Sequence, residues 1–126
     1  MSHYDFTNIK SEFYFSVMEW HKVLELAQMY GWRPKGTSSN RIMKSFAGNW
    51  DNWDGNYFTF DNQLVDEDDA KNLADALKRA VKDVPNVRPN ISTDKMSLLE
   101  LWSGRKFKKH LRKFITFCEE GIFIIH

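Results

Sequence analysis

Apolar positions recur along this chain with two different periods. From Val17 to Tyr30 the residues Val17, Trp20, Val23, Leu24, Ala27 and Tyr30 share one side of a 3.6-residue repeat, with Lys22 and Glu25 opposite. That pattern predicts an amphipathic helix. Ser16 followed three residues later by Glu19 forms a capping box at its start, and Gly31 and then Pro34 stop it. Ala70, Leu73, Ala74, Leu77, Val81 and Val84 repeat at i, i+3, i+4 and i+7, predicting a second helix that Asp66 opens and Pro85 ends. Glu67, Asp68 and Asp69 lie in its first turn, where the helix dipole favours anions. A third long helix is predicted from about Gly104 to Glu120, burying Phe107, Leu111, Phe114 and Cys118, with Gly121 as its stop. Ser97–Trp102 reads as a short helix before it.

Strand signals are shorter. Glu12–Phe15 and Tyr57–Phe60 are aromatic and extended, with Asp61 and Asn62 as the turn after the second. Ile122–Ile125 is an unbroken apolar run of the kind that occupies the middle of a sheet. Between helices, residues 33–56 read mostly as loop, rich in Gly, Ser, Asn and Asp. Helices with one apolar stripe need a sheet to cover. The expectation is an α+β fold, three main helices packed on a small sheet, over residues 1–126 as one domain. Trp20, Leu24, Leu73, Leu77, Phe107, Phe114 and Phe123 are the predicted core.

Composition narrows the class. With 42% hydrophobic and 28% charged residues the chain is globular, and an aromatic share of 15% gives it rings enough to build a core. Eighteen basic against 17 acidic residues leave a net charge of +1, so the total favours no partner. The distribution says more, because residues 85–126 carry 8 basic and 4 acidic residues while 61–84 carry 4 and 7. The lone cysteine excludes an internal disulfide. No run approaches the roughly 18 apolar residues of a membrane helix, and Met1–Asp5 lacks the basic-then-apolar pattern of a signal peptide. No membrane association and a cytoplasmic location are expected.

Catalytic and metal chemistry find no foothold. His3, His21, His110 and His126 have no metal-like spacing; His21 and His110 border apolar stripes, where half-buried histidines are ordinary. Aligning Gly55 with the loop glycine of an EF-hand puts Trp50 where the first carboxylate belongs. The helix position of Cys118 points it into the core, where Glu119, Glu120 and the helix C-terminus would raise its pKa. No nucleophile elbow or glycine-rich phosphate motif is present. No cofactor is expected, and the chain reads as a non-enzyme.

Two features remain. Arg105, Lys108, Lys109 and Arg112, flanked by Lys106 and Lys113, lie on the side of the third helix opposite its apolar stripe. Such a face can be a solvated exterior, can meet an acidic protein surface, or can lie along nucleic-acid phosphates. The second feature is the turn-rich Trp50-Asp51-Asn52-Trp53-Asp54-Gly55, whose tryptophans either plug the core or anchor an interface. Trp50 follows Phe46 and Ala47 and suits the core; Trp53, among turn formers, suits an interface.

Three stretches carry a resemblance. Leu26–Thr37, then Asn56–Gln63 with Asp69–Leu77, and finally Phe114–Cys118 with Gly121–Phe123 together resemble a group of small uncharacterised bacterial proteins. In size and style that group is similar to toxin-immunity proteins, which bind and block a toxin. The resemblance implies a bacterial, cytosolic, non-enzymatic module and carries over no catalytic residue. The expected function is therefore protein binding, immunity or antitoxin-like, through Trp50, Trp53, Arg105, Lys108, Lys109 and Arg112 against an acidic protein partner. The alternative is a nucleic-acid-binding protein using the same basic helix.

Overall fold

The structure, a computed structural model, describes residues 3–35, 57 and 63–126. Its elements run β1 (His3–Thr7), β2 (Glu12–Ser16), α1 (Val17–Met29), β3 (Gln63–Val65), α2 (Glu67–Asp83), a 3-10 turn (Thr93–Lys95), α3 (Leu98–Leu101), α4 (Arg105–Glu119) and β4 (Phe123–Ile125). This is an α+β fold, with an antiparallel sheet of order β2-β1-β4-β3 and three long helices against one of its faces.

Local chemistry sets most of these boundaries. Ser16 ends β2 and caps α1 in the same step: its side chain accepts from Glu19 N–H while the Glu19 carboxylate accepts from Ser16 N–H at 2.8 Å. Gly31 takes φ +94°, and the backbone then turns back so that Trp32 N–H reaches Ala27 O. Ser97 and Glu100 repeat the capping box at α3. The β1–β2 turn is built on Asn8, whose Oδ1 accepts from the N–H groups of Lys10 and Ser11 at 2.7 Å. Asn8 and Ser11 also donate to Glu120, which ties this turn to the end of α4.

The β1 strand was not expected. Its sequence, His-Tyr-Asp-Phe-Thr, does alternate with period two, and it pairs with β2 in full register from His3↔Ser16 to Thr7↔Glu12. The apolar run at 122–125 fulfils its reading: β4 is an interior strand between β1 and β3. Of the strand expected at 57–60 only Tyr57 is described, and it lies outside any strand; the partner of β4 is 63–65.

The two faces of β1 and β2 differ. Phe6, Phe15, Phe123 and Ile125 point to the helices and are buried, while Glu12 and Tyr14 point away. Phe6 meets Trp20 at 4.8 Å between ring centroids, Phe114 at 5.8 Å and both Phe15 and Phe123 at 5.9 Å. Behind these rings α2 packs on α1 and α4 through Ala70, Leu73, Ala74, Ala76, Leu77 and Ala80, all buried. The run of alanines is what lets the helix backbones approach closely. Six of the seven predicted core residues are buried. Phe107 is the correction: it is half-buried at the rim, with the Arg88 guanidinium 4.4 Å above its ring.

Candidate functional site: the outer face of α4

Helix α4 divides sharply. Leu111, Phe114, Ile115, Phe117 and Cys118 are buried, and Arg105, Lys106, Lys109, Arg112 and Lys113 are exposed. None of these five cations forms an ion pair with a described residue; the ion pairs of α4 among the described residues are made by Glu119 with Lys78 and, when its ring is protonated, by His110 with Glu19. Five uncompensated charges on one short helical face set up a positive potential over it.

Lys108 does not belong to that face. It is only 6% exposed, and its Nζ donates to Val84 O at 2.7 Å and to Asn86 Oδ1 at 2.8 Å. Val84 is the C-cap of α2, so the ammonium neutralises the negative end of that helix dipole, while its alkyl stem lies along apolar surface. The expectation that Lys108 faces a partner is therefore corrected: it is a cap for α2. Trp50 and Trp53 lie outside the described residues.

Beside the cations the surface dips into a depression of about 440 Å³ lined by Tyr14, Lys106, Lys109, His110 and Lys113. Tyr14 is 61% exposed on the edge strand β2. His110 is half-buried, stacked on Phe13 with centroids 4.9 Å apart and meeting Phe15 edge-on at 5.1 Å. Desolvation by these rings lowers its pKa below the ordinary 6.5; Glu19, 4.0 Å away, works against that shift and Lys113 works with it. The folded protein thus holds this proton less tightly than the unfolded chain does. Stability is full above the unfolded pKa and declines as the pH falls through it. The melting temperature is expected to fall as the pH drops below about 6.5, and His110→Gln to flatten that slope. Parallel melting curves for the two proteins below that pH would show that His110 is not the group responsible.

Other titratable groups are structural. Cys118 sits fully in the core, as its helix position predicts, and burial, with Glu119 beside it, pushes its thiol pKa well up. Asp69 stands in the first turn of α2, as its sequence position predicts, but there it does more than meet the helix dipole. It is 1% exposed, accepting from Tyr57 Oη at 2.6 Å and from Lys35 N–H at 2.8 Å. Trp32 Nε1–H donates to Asp69 O at 3.3 Å, and Trp20 Nε1–H to Tyr57 O at 2.6 Å. Burial and the Asp69 carboxylate raise the Tyr57 pKa far above its ordinary value. The sequence held a signal for this: Asp69 shares the spacing of Leu73, Ala76 and Ala80 on the buried side of α2.

Among the described residues no group of His, Cys, Asp and Glu is placed to hold a metal ion, and no helix is long and apolar enough to cross a membrane. Compared with protein-family models, curated proteins and solved structures, the chain finds no match in any of the three.

Proposed function

We propose that this chain is a non-enzymatic protein-binding module, an inhibitor of the immunity or antitoxin kind, that presents α4 to an acidic protein surface. The observation supporting it is the set of five exposed cations, Arg105, Lys106, Lys109, Arg112 and Lys113, which have no ion-pair partner among the described residues. Complementary charge of this kind accelerates encounter and fixes orientation, and a blocking protein gains from both. The core behind α4 is packed with rings, which hold the face in place so that it needs little ordering on binding.

Charge reversal at Arg105, Lys109 and Arg112 together tests this reading. Each is exposed, so each substitution to Glu is expected to change stability by no more than about 0.5 kcal/mol. Binding to an acidic partner should fall by at least about a hundredfold, most of it through slower association and repulsion. Unchanged binding by the triple variant would reject α4 as the docking face. Tighter, sequence-independent binding of oligonucleotides at about 150 mM salt would assign the face to nucleic acid instead.

A further inference from the structure

We infer that the acidic partner carries one bulky apolar side chain next to its acidic stretch, and that this side chain seats in a cleft at the N-terminal end of α4. The inference rests on the protein-binding reading and deepens it. The cleft, about 560 Å³, opens between the first turns of α1, the connection around the 3-10 turn, α3 and the start of α4. That volume lies inside the range of about 300–1,000 Å³ typical of ligand clefts, so it takes a large side chain together with flanking peptide.

The walls are apolar and soft. Met18, Met96, Leu101, Trp102 and Phe107 line the cleft, and Met18, on α1, is 65% exposed, a large apolar chain with little covering it. Arg88 completes the wall over Phe107, fixed there by donating from Nη1 to Leu101 O at 3.0 Å and Ser103 O at 3.3 Å. Trp102, 2% exposed, closes the inner end of the cleft.

Charge says what the occupant is. Phe107 and Glu19 border both this cleft and the depression that holds Lys106, Lys109 and Lys113, so apolar pocket and cationic face form one continuous surface. An apolar anchor in a pocket beside complementary charges is the arrangement of an interface hot spot. The charged groups lining the cleft itself balance, Glu19 and Asp94 against Lys22 and Arg88, so the cations of α4 are the surplus that draws the partner's acidic residues to that side.

Fluorescence anisotropy of the intact protein with three labelled peptides tests this: a run of glutamates, the same run ending in one phenylalanine, and that phenylalanine peptide with serines for glutamates. The phenylalanine–glutamate peptide is expected to bind at least about tenfold more tightly than glutamates alone. Met18→Gln should remove that advantage without changing the melting temperature or glutamate binding, and Met18→Leu should restore it. Equal affinity of the two acidic peptides would overturn the anchor while leaving the cationic face in place. An advantage that survives Met18→Gln would overturn the cleft as its seat. Binding by neither acidic peptide would overturn the anchor and the protein-binding reading together, and tighter binding of oligo(dT) would overturn a protein partner.

Discussion

Lys108→Glu is expected to lower the stability of the fold by about 3–5 kcal/mol, the scale for leaving a buried charge without its partner. The new carboxylate would stand against the Val84 carbonyl and the negative end of α2, where the ammonium now donates two hydrogen bonds. In a domain of this size the melting temperature should fall by on the order of 10 °C or more. Lys108→Met keeps the apolar stem and loses the hydrogen bonds, so its cost should be smaller, about 1–3 kcal/mol. Lys109→Glu, one residue further and exposed, should cost no more than about 0.5 kcal/mol. Thermal or urea melting of the three variants distinguishes a cap from a docking residue, and a harmless Lys108→Glu would mean that the burial described for it is wrong.

Asp69→Ala is the second large effect. The substitution strands Tyr57 Oη and Lys35 N–H, both of which donate to the carboxylate. Hydrogen bonds to a charged group contribute about 1.5–3 kcal/mol each, and the buried Tyr57 hydroxyl, losing this acceptor, adds to the loss. A destabilisation of about 3 kcal/mol or more follows. Tyr57→Phe alone should cost about 1–2 kcal/mol, and the double variant less than the sum, because the two residues share one bond. Strict additivity in that cycle would show that Tyr57 and Asp69 do not act together.

What the sequence made legible was what neighbours in the chain decide. The Ser16–Glu19 box, the Gly31 turn and the alanine-rich stripe of α2 are local facts, and each stands where the residue pattern puts it. The division of α4 into apolar and cationic faces was equally plain, since a helical repeat alone produces it. Lys108 shows where this stops. Its angle on the helix places it at the flank of the cationic side, and only the carbonyl at the end of a different helix, α2, turns that flank into interior. Phe107 fails for the converse reason: it lies on the apolar side but in the first turn of α4, where it borders an open cleft and has the Arg88 guanidinium over its ring. β1 was passed over because five residues with two aromatics give too short a repeat to register without its partner β2.

The Asp69 carboxylate also decides what opens together. Lys35 N–H, just after α1, and the Tyr57 hydroxyl both donate to this one side chain, which stands in the first turn of α2. Opening that end of α2 therefore releases both contacts at once. Hydrogen exchange should find the first amides of α2 and the Lys35 amide losing protection with a common free energy.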